Sequence, residues 1–232
     1  MFAPAWIAVW LFSVWLAPAE NAPVAHAPAA SAAGHAADAS EVSPEQAWKR
    51  LEEGNARFVA GKAEHPNQTA DRRLALASGQ KPWAIILTCA DSRLAPELFF
   101  DQGLGDLFVL RNAGNILDDH ILGSMEYAIE HLHVGLIVVV GHEKCGAVSA
   151  AVAGGKAPGH IHSVVEAIAP AVEQVRGLPG DKVDNAVRAN AQRVARILTH
   201  AEPILKPAIS GGQLKVVAVR YALGSGKVEI LK

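Results

Sequence analysis

Two short groups of reactive side chains stand out in the sequence, and each begins where an apolar run ends. Their members are Cys89, Asp91 and Arg93 in the first group and His142 and Cys145 in the second. Residues 83–88 and 136–141, which precede them, are short apolar runs rich in branched side chains. Such runs are typical of strands buried on both faces of a parallel sheet. Ligands bind these sheets at the carboxyl ends of the strands, so we expect both groups to meet at one rim.

The chain has two cysteines, Cys89 and Cys145, and three interpretations of the pair remain open at this stage. The two thiolates and the His142 imidazole would supply three zinc ligands with a fourth position open, which is the pattern of a catalytic zinc site. The same cysteines could form a disulfide in an oxidising compartment. They could also be two unreactive thiols in the core. The His-x-x-Cys spacing at a strand end, with Asp91 and Arg93 beside Cys89, favours zinc.

Asp91 and Arg93 have a chemical and a structural interpretation. A carboxylate near the metal could accept a hydrogen bond from an attacking water, and the Arg93 guanidinium could hold that carboxylate with two parallel hydrogen bonds. The alternative is a local surface ion pair that contributes little to stability.

Four segments of the chain resemble the β-class carbonic anhydrases in sequence, order and spacing, over roughly residues 44–232. The matching segments are CADSR at 89–93, FVLRNAGN at 108–115, MEYAIEHL at 125–132 and VVVGHEKCGA at 138–147. The combination of C-x-D-x-R with G-H-x-x-C-G is highly specific. The resemblance implies a zinc-dependent hydro-lyase that interconverts carbon dioxide and bicarbonate, with one zinc ion per chain.

The resemblance also assigns roles to individual residues. It implies that Cys89, His142 and Cys145 bind zinc and that Asp91 and Arg93 are the catalytic pair. In some members of the family the equivalent of Asp91 instead serves as an alternate fourth zinc ligand.

Further residues correspond to the substrate pocket of the family. Gln80, Phe108 and Tyr127 match pocket positions, with the two aromatic residues contributed across a dimer, although both could be ordinary core residues. Arg111 matches the arginine of a noncatalytic bicarbonate site found in some members. The aromatic residue that accompanies that arginine is replaced here by Ile86, which places that second site in doubt.

The alternation of apolar runs and amphipathic segments predicts an α/β fold. We expect a mostly parallel four-stranded sheet with an antiparallel fifth edge strand, helices on both faces and an N-terminal helical arm. Predicted strands cover residues 83–88, 106–110, 136–141, 213–221 and 227–231. Predicted helices cover residues 44–60, 69–77, 118–133, 147–153, 161–175 and 183–200, with a helical turn after Leu94. The Gly54-Asn55 pair is expected to interrupt and bend the first helix.

The first 42 residues differ in character from the rest. Residues 1–19 are apolar and end in Ala17-Pro18-Ala19, which predicts a signal peptide and export to the periplasm, although a retained membrane anchor is the competing interpretation. Residues 20–42 are rich in Ala and Pro and predict a flexible linker, because they lack the large apolar residues that form a core. The resemblance implies that residues 43–232 form a β-carbonic anhydrase domain.

The composition narrows the range of partners. The formal net charge is -2 and no basic run is present, which argues against nucleic acid, or a membrane after signal removal, as a partner. The expected partners are carbon dioxide or bicarbonate and further copies of the chain, as a homodimer or a higher homo-oligomer.

Two other functions remain open. One is hydrolysis of carbon disulfide or carbonyl sulfide on the same fold, and the other is a non-enzymatic exported domain with a Cys89–Cys145 disulfide.

Overall fold

The computed structural model describes residues 42–232, and the predicted signal peptide and nearly all of the predicted linker lie outside this range. The strands are β1 Ala84–Cys89, β2 Leu107–Asn112, β3 Leu136–His142, β4 Lys215–Tyr221 and β5 Val228–Ile230. The helices are α1 Pro44–Val59, α2 Ala70–Ala75, α3 Pro96–Phe99, α4 Asp119–Leu132, α5 Gly146–Ala153, α6 Ile161–Gln174, α7 Lys182–Thr199 and α8 Leu205–Ser210. Short 3₁₀ turns cover Leu76–Ser78 and Ala113–Asn115.

The five strands form one sheet in the order β2-β1-β3-β4-β5. The first four are parallel to one another, and β5 pairs antiparallel with β4 at the edge. The predicted α/β class and sheet type are therefore confirmed. Because the four strands are parallel, the carboxyl ends of β1 and β3 lie side by side at one rim of the sheet.

Side chains that alternate along the central strands fill two separate cores. Ile86, Val138 and Val219 face a core completed by α1, α3, α5 and α6. Ile85 and Val139 face the opposite core, which α4, α7 and α8 complete. Both faces of the sheet are thus covered, which explains why the central strands are continuously apolar.

Helix α1 begins as its sequence predicts. The Ser43 side chain accepts a hydrogen bond from the Gln46 backbone N–H, the Gln46 side chain accepts one from the Ser43 N–H, and Pro44 occupies the first turn. This reciprocal capping satisfies two amide groups that the helix itself leaves without partners.

The expectation of a bend at Gly54-Asn55 was wrong, because α1 runs without interruption through both residues. Gly54 is required for close packing: a Cβ atom at this position would lie 1.8 Å from the Phe100 carbonyl oxygen. Asn55 is buried and links α1 to two other segments, the end of α3 and the start of β5. Its side chain donates to the carbonyl oxygens of Phe99 and Gly226 and accepts from the Val228 N–H.

Helix α8 was not expected from the sequence. Among residues 42–232, none of the helices combines the length and apolar character that a membrane crossing requires.

Candidate metal centre

The rim at the ends of β1 and β3 collects two thiols and an imidazole. Cys89 is the last residue of β1, His142 is the last residue of β3, and Cys145 precedes the first residue of α5. Lys144 adopts a left-handed backbone conformation, with φ of 51°, in the short turn between His142 and Cys145. Such a conformation is strained for a residue other than glycine and is typical of functional sites. The turn aims both side chains at one point.

The three candidate ligand atoms are close enough together to bind one ion. The Cys89 and Cys145 Sγ atoms and an imidazole nitrogen of His142 all lie within 4.8 Å of one another, and all three residues are buried. The two Sγ atoms are 4.0 Å apart. A disulfide requires a separation of about 2.05 Å, whereas two thiolates on a tetrahedral zinc ion lie about 3.8 Å apart, given zinc–sulfur bonds of about 2.3 Å. Both cysteines are free, and their spacing is that of metal ligands.

The hydrogen bonding of His142 defines which ring nitrogen is available. Nδ1 lies 2.9 Å from the Glu143 carbonyl oxygen, and because that oxygen can only accept, Nδ1 carries the hydrogen. Nε2 therefore carries the lone pair, yet within residues 42–232 this buried atom has no hydrogen-bond partner. An unsatisfied buried polar atom costs about 1–3 kcal/mol. A metal ion bound at Nε2 would remove that penalty, so the residues present fit a zinc ion.

The two thiols differ in acidity because they are buried side by side. The pKa of Cys89 lies below its ordinary value, chiefly because of the hydrogen bond with Cys145. His142 and the Gly114 N–H lower this pKa further, whereas burial of the thiol opposes the shift. The pKa of Cys145 is raised, because the interaction with Cys89 and burial both disfavour a second thiolate. The pair alone thus favours a single negative charge. A divalent cation would release the second proton, because metal binding to cysteine requires the thiolate.

Asp91 and Arg93 form a bidentate pair beside the ligands. Arg93 Nε donates to Asp91 Oδ1 at 2.9 Å and Arg93 Nη2 donates to Asp91 Oδ2 at 2.7 Å. These hydrogen bonds hold the pKa of Asp91 well below its usual range. Asp91 Oδ2 lies 4.0 Å from His142 Nε2, which places the carboxylate at the edge of the ligand group.

Arg111 anchors the turn that carries these residues. Its Nη2 donates to the Asp91 carbonyl oxygen at 2.8 Å, and its Nε donates to the Cys89 carbonyl oxygen at 3.3 Å. Both contacts are to backbone, so the guanidinium holds the Cys89–Asp91 segment in place. This role was not apparent from the sequence, in which Arg111 stands out only through the family resemblance.

A partly buried ion-pair network supports the residue that follows His142. Arg220 Nη2 donates to Glu143 Oε1 and Arg220 Nε donates to Asp184 Oδ1, both at 2.6 Å, and the Leu223 N–H donates to Glu143 Oε2. The network holds Glu143, whose carbonyl oxygen orients His142. Sequence analysis missed it, although an arginine inside the apolar strand β4 was a signal that an acidic partner exists.

Two of the predicted pocket residues, Phe108 and Gln80, lie toward the start of β1, away from Cys89 at its carboxyl end. Phe108 pairs with Ile85, four residues before Cys89 along β1, which is roughly 13 Å at about 3.3 Å per residue. Gln80 precedes the opposite end of β1 and is exposed. Tyr127 lies on α4 and is 49% exposed.

We predict that the purified protein contains one zinc ion per chain and that Cys145→Ser loses most of it. A serine hydroxyl is a much weaker zinc ligand than a thiolate at neutral pH, and the chain has no cysteine besides Cys89 that could replace the lost ligand. Metal analysis of the parent and variant after gel filtration provides the measurement, with circular dichroism to verify folding. Full zinc retention by the folded variant would remove Cys145 from the ligand set.

Comparison with known proteins assigns this arrangement to a family. The sequence model of the carbonic anhydrase family matches residues 84–228. Carbonic anhydrase 2 of Mycobacterium tuberculosis is 48% identical over 190 residues, covering 80% of this chain and 92% of that protein. The carbonic anhydrase of Mycolicibacterium smegmatis is 40% identical over 192 residues, covering 81% of this chain and 93% of that protein.

Solved structures agree with the sequence comparison. A tetrameric β-carbonic anhydrase of Sordaria macrospora superposes with a TM-score of 0.65 at 25% identity, covering 79% of this chain and 96% of that one. A Coccomyxa β-carbonic anhydrase in complex with acetazolamide superposes with a TM-score of 0.64 at 28% identity, covering 77% of this chain and 83% of that one. The chain therefore belongs to the β-class carbonic anhydrases and is a zinc enzyme that catalyses the reversible hydration of carbon dioxide.

Proposed function

We propose that Asp91 and Arg93 position the nucleophile for the hydration of carbon dioxide at the Cys89–His142–Cys145 centre. The observation that carries this assignment is the bidentate pair itself, which places the Asp91 carboxylate 4.0 Å from His142 Nε2. An ordinary surface ion pair has no reason to lie against a buried metal-ligand group.

When held by Cys89, His142 and Cys145, a zinc ion would supply Lewis acidity, which in three-histidine carbonic anhydrases lowers the pKa of water to about 7. The reaction joins the oxygen of water to the carbon of carbon dioxide and yields bicarbonate and a proton, which passes to buffer. Asp91 contributes as an acceptor: its ionised carboxylate takes a hydrogen bond from the attacking oxygen and so directs a lone pair toward the carbon. Because Arg93 keeps the pKa of Asp91 low, this acceptor is ionised at neutral pH.

Arg93 also limits what Asp91 can do. Both carboxylate oxygens accept hydrogen bonds from the guanidinium, so Asp91 would have to leave Arg93 before it could serve as a fourth metal ligand. Arg93 Nη2 additionally approaches the Lys144 carbonyl oxygen at 3.4 Å. The pair therefore spans both strand ends, and its hydrogen bonds would keep the Asp91 carboxylate from coordinating a bound zinc ion.

We predict that Asp91→Asn keeps its zinc but hydrates carbon dioxide about 100- to 10,000-fold more slowly near neutral pH, the range typical of a positioned acid–base group. The amide preserves the shape of the carboxylate but lacks the charge that pairs with Arg93, and its NH₂ group would misorient the nucleophile. Zinc content, melting temperature and stopped-flow hydration rate should be measured on one preparation.

Glu173→Gln is the matched control. It neutralises an exposed carboxylate that, like Asp91, pairs with a nearby arginine (Arg176), but that lies far from Asp91 in the sequence. It should leave both the rate and the zinc content unchanged. If Asp91→Asn melts early but hydrates carbon dioxide at the parental rate, Asp91 has a structural role only and this mechanism is wrong.

We further propose that a second copy of the chain completes the substrate pocket, so that a homodimer is the smallest active unit. Gln80 and Phe108 lie toward the start of β1, away from Cys89, and Tyr127 is exposed on α4. Within the described residues 42–232, the outer strand β2 is paired along one edge alone and is only partly buried along its length. An edge of this kind is normally covered by another element or another chain. The Sordaria macrospora relative is described as tetrameric, which supports an assembly of this chain.

Pairwise complementation tests this arrangement. We predict that Gln80→Ala and Asp91→Asn, each impaired alone, recover activity when they are co-assembled in equal amounts. About half of randomly formed dimers then contain one chain of each variant, and one of the two sites in such a dimer is intact. About a quarter of all sites are therefore intact, so the mixture should reach about a quarter of the parental rate. Co-assembly of Asp91→Asn with Arg93→Ala is the control, because both changes affect the site of their own chain and no intact site can form. A rate equal to the mean of the two separate variants would show that Gln80 acts within its own chain or not at all.

We also propose that the enzyme is exported, on the basis of the apolar residues 1–19 and the Ala-Pro-Ala sequence that ends them. The expected outcome is a mature chain that begins near Glu20, detectable by mass spectrometry of protein from the native cell. An intact Met1 in a membrane fraction would instead support a retained anchor.

A further inference from the structure

The Cys89 sulfur receives a hydrogen bond from a neighbouring turn. The Gly114 backbone N–H lies 3.3 Å from Cys89 Sγ, where the Ala113–Asn115 turn follows β2. Strand pairing brings the two segments together, because Cys89 is in register with Asn112. Hydrogen bonds to ligand atoms orient the ligands of metal sites and tune their donor strength. The position of this one amide therefore influences how Cys89 presents its sulfur.

Gly114 has a conformation that glycine adopts readily and other residues seldom adopt. Its φ of 74° lies in the left-handed region, and a Cβ atom at this position would lie 2.7 Å from Ile168 Cδ1 and 3.1 Å from Ala147 Cβ. Packing against α5 and α6 thus confines the turn from one side. Glycine has more conformational freedom than any other residue, so directional contacts are needed to hold its amide on the sulfur.

The directional contact on Gly114 comes from Asn190. The Asn190 Nδ2 donates to the Gly114 carbonyl oxygen at 2.9 Å, from a residue 76 positions away on α7. Asn190 is 1% exposed and is the polar member of an otherwise apolar buried set on α7; the others are Ala186, Val187, Ala189, Ala191, Val194, Ala195 and Leu198. A leucine of similar size would bury more favourably, so the amide needs an explanation beyond packing.

We propose that Asn190 is a positioning residue of the metal centre, which acts by fixing the Gly114 peptide so that its N–H donates to the Cys89 sulfur. One residue, Gly114, accepts from Asn190 through its carbonyl and donates to Cys89 through its amide. Helix α7 therefore reaches the zinc ligand through a single intervening residue. The proposal rests on zinc being bound by Cys89, His142 and Cys145.

The test uses Asn190→Leu, which keeps the side-chain volume, and Asn190→Ala. The expected result is a zinc dissociation constant about tenfold to a hundredfold higher, measured by chelator competition at one fixed pH. In the cobalt-substituted protein, the thiolate-to-cobalt charge-transfer band should move to longer wavelength, because a sulfur that loses its N–H donor holds its electrons less tightly.

Asn55→Ala is the matched control, because Asn55 is also a buried asparagine that binds backbone carbonyls, on α1 rather than near the ligands. It should lower the melting temperature while leaving zinc affinity and the cobalt spectrum unchanged. If the Asn190 variants behave like Asn55→Ala, with a dissociation constant within about twofold of the parent, the proposal is overturned. Failure of both Asn190 variants to fold, where Asn55→Ala folds, would assign Asn190 to the fold and also overturn it. Absence of zinc from the parent would reject the metal centre itself, which is a separate result.

Discussion

The convergence of two buried thiols and one imidazole on a single point is the constraint on which the rest of the structure depends. With sulfur atoms 4.0 Å apart and away from solvent, the pair resists carrying two negative charges unless a cation lies between them. The unsatisfied Nε2 of His142 points to the same requirement. An arrangement of this kind is destabilising without a metal and becomes stabilising with one, because binding free energy of the metal contributes to the stability of the fold.

Long-range contacts hold the segments that carry Cys89 and His142 in place. The Cys89 segment is anchored by Arg111 through two backbone carbonyls and by the Gly114 amide at its sulfur. His142 is oriented by the Glu143 carbonyl, and the Glu143 side chain is bound by Arg220. Helix α7 supports both sides, since Asp184 binds Arg220 and Asn190 binds Gly114. Close contact makes this possible: a Cβ atom on Gly141, next to His142, would lie 3.0 Å from Val187 on α7.

A single chain supplies the metal ligands and the Asp91–Arg93 pair, and under the proposed dimer a second copy completes the substrate side of the site. The parallel sheet explains the division. The ligands lie at the carboxyl ends of the strands, whereas Gln80 precedes β1 and Phe108 pairs near its start. A small neutral substrate such as carbon dioxide offers little to recognise by charge, so an apolar slot between two subunits is a reasonable way to build its pocket.

The sequence by itself determined the features that depend on neighbouring residues. Apolar runs defined the strands, Ser43-Pro44 and Gln46 defined the start of α1, and the spacing of Asp91 and Arg93 allowed their bidentate pairing. Motifs at strand ends were sufficient to bring Cys89, His142 and Cys145 together, because parallel strands bring their carboxyl ends to one rim, and the family resemblance then identified the three as zinc ligands. Tertiary structure alone decided the rest: Gly54 serves close packing rather than a bend, Arg220 and Asn190 serve partners 77 and 76 positions away, and Arg111 binds backbone. Local sequence does not identify the partners in such distant contacts, because the contacts arise only when the sheet and α7 come together; Arg220 inside an apolar strand signals an acidic partner without naming it.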